Sequence, residues 1–213
     1  MRPKQIIIIR HGESEANVDK SMYEHTPDHM INLTDKGREQ CLRAGLTLNK
    51  ILTGKNITVW SSPFNRARQT AELIISQLSD RDIKYREDPR LREQEWGNFY
   101  TEEEARLKTE DRRRHSYFFY RIENGESGAD VYDRMSTFLD TLYRDFSVDE
   151  WTENIVISTH GITAIVFLMR YFHWKYELYE EAEKFLNCGF VVLELDKKSG
   201  RYNISLDQRK GTQ

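Results

Sequence analysis

The chain has few cysteines, few prolines and no long apolar run. Its 213 residues include 2 Cys and 4 Pro, which excludes the disulfide framework of small secreted domains, so both thiols are expected in the core. The longest apolar stretches, such as residues 162–168, are far too short to span a bilayer. Residues 1–4 lead directly into an apolar run, and no targeting segment is expected. These features favour a cytoplasmic location and no membrane partner.

An excess of charge of one sign is also missing. The formal net charge is -3 at pH 7, so no basic field would attract nucleic acid, and a small molecule is the expected partner. Neither Cys41 nor Cys188 is followed by arginine at the spacing of a thiolate phosphate cradle, since Thr47 and Glu194 stand there. The Gly-x4-Gly-Lys-Ser/Thr loop of nucleotide-driven phosphoryl transfer is absent as well.

Apolar runs alternate with helical patterns along the chain, and this order predicts an α/β fold. Residues 6–9, 57–60 and 154–158 are predicted to form buried strands of a parallel sheet. Residues 189–195 are predicted as a last buried strand, with 201–206 as its edge partner. We therefore predict a three-layer α/β/α sandwich around a mostly parallel mixed sheet. A chain of this length is expected to form a single domain over residues 1–213.

Two helices are predicted from their caps and apolar stripes. Thr34 caps a helix that continues to about Gly54. Its buried face is predicted to hold Cys41, Ala44, Leu48 and Ile51. Ser127 begins another helix, with Asp130 three positions later. The apolar stripe of that helix, predicted as core, consists of Val131, Met135, Phe138, Leu142 and Phe146.

The first three predicted strands all end at residues suited to bind an anion. Arg10 and His11 follow the first strand, Arg66 lies in the helix after the second, and His160 follows the third. Ligands of parallel sheets bind at the carboxyl ends of the strands. A buried arginine beside a histidine needs an anion to compensate its charge. Together with the carboxylates in residues 91–97, these histidines and arginines provide a nucleophile, a cationic clamp and a proton donor for phosphoryl transfer through histidine.

Five short motifs span nearly the whole chain in a fixed order. They occupy residues 10–17, 33–37, 62–67, 91–93 and 160–161. Together they resemble the histidine phosphatase (phosphoglycerate mutase-like) superfamily. Residues 91–99 and 118–134 resemble its fungal and plant subgroup of broad-range acid phosphatases and mutase-like phosphatases. The resemblance implies the phosphoglycerate mutase-like fold.

The resemblance also implies a nucleophile and a phosphate cradle. His11 would attack phosphorus and form a phosphohistidine. Arg10, Arg66 and His160, assisted by the amide of Asn17, would hold the equatorial oxygens of the phosphate. These side chains would replace a metal ion, so neither a metal nor any other cofactor is expected.

A carboxylate completes the expected machinery. By resemblance, Glu93 would protonate the leaving group and then assist the attack of water or an acceptor hydroxyl on the phosphohistidine. Glu95 is the fallback for this role. Many relatives carry a second glycine four residues after Gly97, where this chain has Thr101. That departure bears on the shape of the loop that carries these carboxylates from residue 91 onward, here called the acid loop, and on the pocket for the leaving group.

The expected function is metal-independent hydrolysis of small phosphate monoesters through phosphohistidine. A cofactor-dependent phosphoglycerate mutase, which returns the phosphate to a bound product, is the alternative. A catalytically inactive binding or scaffold protein of the same fold is a remote one, since it would be expected to lose catalytic residues that this chain retains. The sequence leaves a homodimer open.

Three features have a plainer interpretation than function. His25 and His29 are spaced like metal ligands, but they lack a third ligand nearby and are predicted as loop residues. The run Arg112, Arg113 and Arg114 is typical of a solvated helix face. The run lies in an insertion of about residues 98–126, where the superfamily places its substrate lid. Binding of a substrate anion by some of these arginines is therefore the alternative.

Overall fold

A computed structural model describes residues 2–97, 101–148, 151–181 and 184–210. One six-stranded sheet lies at its centre, with the strand order β3-β2-β4-β1-β5-β6. The strands are β1 (Gln5–Arg10), β2 (Asn56–Ser61), β3 (Asp82–Glu87), β4 (Asn154–Thr159), β5 (Phe190–Asp196) and β6 (Arg201–Gln208).

The strand directions confirm a mostly parallel mixed sheet. β4 runs parallel to both β1 and β2, and β2 runs parallel to β3. β5 is antiparallel to β1, and β6 is antiparallel to β5. No apolar pattern in the sequence predicts β3, because its residues are largely polar and partly exposed at the edge of the sheet. Edge strands often carry such charged side chains.

Helices cover both faces of the sheet, which confirms the predicted three layers. The longer helices are α3 (Asp35–Ile51), α4 (Asn65–Ile75), α5 (Glu102–His115), α6 (Gly128–Val148) and α7 (Gly161–Phe172). The short ones are α1 (Glu15–Val18), α2 (Met22–His25) and α8 (Tyr176–Glu181). α3 and α4 pack on one face of the sheet, and α6 and α7 pack on the other. Within the described ranges, no helix is both long and apolar enough to cross a membrane.

The isoleucine run of β1 shows why this strand is central. Ile6 and Ile8 pack into the core beneath α6 and α7, whereas Ile7 and Ile9 pack into the core beneath α3 and α4. All four are at most 2% exposed. Successive side chains of a strand point to opposite faces, so only a strand covered on both sides needs apolar residues at every position.

Both predicted helix starts are present, but one predicted end is wrong. The Thr34 hydroxyl accepts a hydrogen bond from the Gly37 amide at 3.0 Å and so caps α3. The helix ends at Ile51 rather than near Gly54, because Leu52 is already extended. Gly54 lies in the following turn with φ +81, a conformation that favours glycine. Ile51 is partly buried, whereas the rest of the predicted α3 face is buried.

The predicted cap of α6 also forms. Ser127 and Asp130 exchange hydrogen bonds at its first turn, with the Asp130 carboxylate accepting from the Ser127 amide at 2.7 Å and the Ser127 hydroxyl accepting from the Asp130 amide at 3.2 Å. The whole predicted apolar stripe of the helix is buried. The cap therefore fixes where α6 begins, and the apolar stripe determines which face packs against the sheet.

Candidate active site

The carboxyl ends of β1, β2 and β4 meet at one edge of the sheet. In the pairing register, Arg10 lies opposite Thr159 and Ser61 lies opposite Ser158. This register brings the residues that follow β1 and β4 together, and the ring centroids of His11 and His160 are 5.1 Å apart. The structure thus places the two predicted histidines side by side although they are far apart in the sequence.

The surroundings of His11 define its tautomer. Its Nδ1 lies 2.7 Å from the Gly12 carbonyl oxygen. A carbonyl oxygen only accepts hydrogen bonds, so Nδ1 carries the hydrogen and Nε2 keeps its lone pair. Burial, followed by the positive charges of Arg66 and Arg10, holds the pKa of His11 well below its usual value. A neutral imidazole with a free Nε2 is the form that can attack phosphorus.

His160 is buried and has one ring nitrogen without a partner. Its Nε2 lies 2.8 Å from the Ser62 hydroxyl, while its Nδ1 finds no hydrogen-bond partner among the described residues. Burial, followed by the charge of Arg66 and the proximity of His11, holds the pKa of His160 well below its usual value. Buried polar atoms are rarely left unpaired, so this nitrogen fits contact with a bound ligand.

Arg66 lies at the second strand end and is held on one side. It is only 4% exposed, and its Nη1 donates to the Asp28 main-chain oxygen and to the Asp28 carboxylate, each at 2.7 Å. The ring of Phe64 lies 5.1 Å from the guanidinium. Because these bonds use Nη1, the donors on Nη2 and Nε can serve a ligand.

Arg10 contributes a second, partly buried cation. Its Nη1 donates to the Phe185 carbonyl at 2.6 Å, and its buried Nε has no partner among the described residues. Desolvation lowers the pKa of Arg10; the charge of Arg66 also lowers it, while that of Glu93 acts in the opposite direction. A buried guanidinium beside a partly buried one forms a site that favours an anion.

The orientation of the Asn17 amide follows from its partners. Its Oδ1 accepts hydrogen bonds from the Ser14 amide and from the Asn187 side chain, both at 3.0 Å. With the oxygen engaged by two donors, the NH2 group of Asn17 is directed away from them. Asn17 also lines the cavity described below, where this group can donate to an oxyanion.

Glu93 is anchored at the start of α7. One of its carboxylate oxygens accepts from the Thr163 amide and hydroxyl, both at 3.2 Å, and the other accepts from the Ile162 amide at 3.3 Å. The Gln94 amide donates to the first oxygen as well, at 3.1 Å. These bonds hold the Glu93 carboxylate in the wall of the cavity that Arg10, His11 and Arg66 also line.

The acid loop continues through Glu95 to the start of α5. Desolvation, followed by the nearby carboxylates of Asp28 and Glu126, raises the pKa of Glu95, which lines the cavity too. Thr101 caps α5 in a reciprocal arrangement, because its hydroxyl accepts from the Glu104 amide at 3.2 Å and its own amide donates to the Glu104 carboxylate at 3.1 Å. The residue that replaces the glycine of many relatives therefore begins a helix here.

All predicted site residues line or adjoin one cavity with a volume of about 1270 Å³. Arg10, His11, Asn17, Arg66 and Glu93 line it, and His160 lies beside His11 as described. Other residues that line the cavity are not among the predicted site residues, for example Lys20, Tyr23 and Asp28. These three belong to a polar loop in which only the two histidines were considered, and no local pattern relates Asp28 to Arg66.

The three arginines of the run in the insertion differ in burial. Arg112 is only 3% exposed, so a solvated face is the wrong interpretation for this residue. Its guanidinium donates to the Tyr117 carbonyl and the Gln94 side chain and lies 5.1 Å from the ring centre of Trp96. Arg113 and Arg114 are exposed, and Arg113 lines the cavity. Residues 98–100 of the insertion lie outside the described ranges.

The two loop histidines, His25 and His29, have different surroundings. His25 lines the cavity, whereas the ring of His29 packs against the ring of Phe64 at 6.4 Å. In the part of the chain that the structure describes, no three or more His, Cys, Asp or Glu side chains cluster as metal ligands would.

Comparison with known proteins agrees with this geometry. The family model of the histidine phosphatase superfamily (branch 1) matches residues 6–206. A phosphoglycerate mutase-like protein of Arabidopsis thaliana is 42% identical over 97% of this chain and 79% of its own length. A broad-range acid phosphatase of Saccharomyces cerevisiae is 28% identical over 94% of this chain and 88% of its own. The chain belongs to the histidine phosphatase superfamily.

Solved structures show the same fold. A mycobacterial glucosyl-3-phosphoglycerate phosphatase in complex with VO3 superposes with a TM-score of 0.74 at 20% identity, covering 95% of this chain and 98% of that one. An α-ribazole-5'-P phosphatase of Escherichia coli, named as putative in its title, superposes with a TM-score of 0.75 at 19% identity, covering 100% and 99% of the two chains. The predicted phosphoglycerate mutase-like fold class is confirmed.

Proposed function

We propose that this protein hydrolyses small phosphate monoesters through a phosphohistidine formed on His11. The observation that carries the proposal is the hydrogen bond from His11 Nδ1 to the Gly12 carbonyl at 2.7 Å. It leaves Nε2 free on a buried imidazole, beside Arg10, Arg66 and His160. A neutral nucleophile among cations is the arrangement that in-line attack on a phosphate dianion needs.

The first half of the reaction transfers the phosphoryl group to His11. Negative charge spreads over the equatorial oxygens in the transition state, and donors already in place stabilise it without reorganisation. Arg66, through Nη2 and Nε, and Arg10, through its unpaired Nε, would bind these oxygens. The Asn17 NH2 group and His160 Nδ1 would complete the cradle.

Glu93 would transfer the protons. Its place in the cavity wall lets it protonate the departing alkoxide and then accept a proton from the water that attacks phosphohistidine, a role worth about 10²–10⁴-fold in rate. Glu95, whose pKa is raised, is the fallback acid.

The size of the cavity favours water as the acceptor. Its volume of about 1270 Å³ exceeds the roughly 300–1,000 Å³ typical of a small-molecule site. A leaving group larger than glycerate and several waters would therefore fit together. A mutase must instead keep water away from phosphohistidine while the product turns over. A cytoplasmic location, a homodimer and a single domain over residues 1–213 stay predictions from the sequence.

A phosphate-release assay on a panel of monoesters tests the proposal, with His11→Ala as the inactive variant and His115→Ala, at an exposed histidine, as its matched control. We expect His11→Ala to remain folded and to lose nearly all turnover. Wild type quenched with denaturant at alkaline pH should carry an acid-labile phosphate on His11. Turnover close to wild type in His11→Ala, or phosphate trapped on another residue, would contradict the mechanism.

The same assay separates the phosphatase from the mutase, whose name the Arabidopsis relative shares. With 3-phosphoglycerate as substrate, we expect inorganic phosphate to appear faster than 2-phosphoglycerate. Faster formation of the isomer, particularly when a bisphosphoglycerate primer is added, would make the mutase the correct function.

A further inference from the structure

The two cysteines of the chain meet directly behind His11. Cys41 lies in α3 and Cys188 just before β5, 147 positions apart, and their sulfur atoms are 3.5 Å apart. Cys41 is fully buried and Cys188 is 7% exposed. The Cys41 sulfur packs so closely on Gly12 that a side chain at that glycine would collide with it. The thiol pair is therefore in contact with the backbone that carries the nucleophile.

The segment that contains Cys188 also holds the nucleophile. The Cys188 amide donates to the His11 carbonyl at 3.2 Å. The Asn187 side chain donates to the same carbonyl at 3.3 Å and to the Asn17 Oδ1 at 3.0 Å. Residues 187 and 188 thus fix both the backbone of His11 and the amide orientation of Asn17.

The same segment reaches the phosphate-binding arginine. The Phe185 carbonyl accepts a hydrogen bond from Arg10 Nη1 at 2.6 Å. Cys188 itself has φ +56, a left-handed conformation that is uncommon outside glycine and strains the backbone. Because Cys188 is strained, we expect the segment of residues 185–188, rather than α3, to move when the two sulfur atoms approach each other.

We propose that Cys41 and Cys188 form a reversible disulfide that switches the phosphohistidine site off. A hydroperoxide is the oxidant. The two S–H bonds and the O–O bond break, one S–S bond forms, and the products are the disulfide, one alcohol (water in the case of hydrogen peroxide) and one water molecule. Each sulfur gives up one electron, and the peroxide oxygens accept both. A thiol reductant reverses the change by exchange.

The chemistry of the pair supports bond formation. The hydrogen bond from the Cys188 thiol lowers the pKa of Cys41, and the Thr70 hydroxyl contributes in the same direction. The same bond, followed by burial, raises the pKa of Cys188. These opposite shifts make Cys41 the thiol of the pair that loses its proton more readily, and the thiolate is the reactive form of cysteine.

The size of the effect follows from geometry. A disulfide has an S–S length of about 2.05 Å, so the sulfur atoms must approach by roughly 1.5 Å. α3 is packed along its buried face, so most of this movement falls on residues 185–188. A displacement of about 1 Å among positioning groups can cost about 10²-fold in rate. We expect oxidation to lower kcat/KM by about 10- to 100-fold.

The experiment treats the intact protein with hydrogen peroxide and measures three quantities over time. These are thiols titrated after denaturation, the mass of the intact chain, and turnover of p-nitrophenyl phosphate. We expect loss of both thiols with loss of two hydrogen atoms, a parallel fall in turnover, and recovery of all three with dithiothreitol. Cys41→Ser and Cys188→Ser are the controls, each compared with itself before and after peroxide.

The single-cysteine variants separate the disulfide from other oxidation, because they keep every methionine. They should lose little turnover under the same treatment. The proposal is overturned if both thiols survive in the wild type, if the disulfide forms without loss of turnover, or if a single-cysteine variant is as sensitive as the wild type. Bond formation is scored by mass and needs no catalysis. Only the loss of turnover rests on the proposed phosphatase function, which untreated protein tests separately.

Discussion

The burial of two histidines leads to a prediction about stability that does not depend on catalysis. His11 and His160 have pKa values held well below the usual range in the folded protein, first by burial and then by nearby cations. In the unfolded chain each returns to a pKa of about 6.5. Below that pH the unfolded chain binds protons that the folded chain excludes. The free energy of unfolding must therefore fall as the pH is lowered through about 6.5.

The magnitude follows from proton linkage. One such histidine lowers the free energy of unfolding by about 0.4 kcal/mol at pH 6.5 and about 1.4 kcal/mol at pH 5.5. For the two together, the loss between these pH values is about 2 kcal/mol, a large part of a typical stability of about 5–15 kcal/mol. Carboxylates whose pKa is lowered in the folded protein contribute little in this window, because Asp and Glu in unfolded chains titrate near about 4. Glu95, whose pKa is raised by desolvation, acts in the opposite direction to the histidines.

Urea unfolding in phosphate-free buffer at a series of pH values measures this loss. Phosphate is left out because a bound anion would stabilise the charged histidines. His11→Gln and His160→Gln should each remove about half of the slope, whatever they do to the stability itself. His115→Gln, at an exposed position, is the control for the substitution. A flat profile between about pH 6.5 and 5.5, or a slope unchanged in both variants, would refute the reasoning.

Three further predictions concern the site. Glu93→Gln should slow turnover of an alkyl phosphate by about 100-fold or more. It should barely affect the single-turnover burst with p-nitrophenyl phosphate, because the leaving group of that substrate needs no proton. Equal losses on both substrates would remove Glu93 from the acid role. Turnover should survive excess chelator and be blocked by vanadate, whereas zinc-dependent recovery would make His25 and His29 ligands. Asn187→Ala removes a donor to Asn17 and to the His11 carbonyl, so kcat/KM should fall about 2- to 10-fold; an unchanged kcat/KM would contradict this positioning role.

The residues at the strand ends show how much of the candidate site can be predicted from the sequence alone. A run of four isoleucines predicts a strand covered on both faces, and the residues after it must then lie at the ligand-binding edge of the sheet. Arg10 and His11 therefore lie where the pattern predicts, and His160 joins them because β4 pairs with β1 in parallel. The catalytic roles themselves stay proposals, since proximity does not establish chemistry.

Other features depend on contacts that no local pattern contains. Arg112 belongs to a like-charge run, yet it is buried because Gln94, Tyr117 and Tyr179, mostly distant in sequence, accept its hydrogen bonds. β3 is stabilised by pairing with β2 and not by an apolar pattern of its own. In both cases tertiary contacts decide the structure, and the local sequence indicates a different environment.

The Asp28 contact raises the question of why a carboxylate lies in a site built for anions. Asp28 binds Arg66 through one nitrogen only, so it weakens the attraction for phosphate but also fixes the plane of the guanidinium. A long arginine side chain without such an anchor would lose rotamer entropy each time a substrate binds. In the proposed mechanism, the carboxylate would therefore lower the ground-state affinity for phosphate and keep the guanidinium oriented for the transition state, and stronger binding of the transition state than of the ground state is what accelerates a reaction.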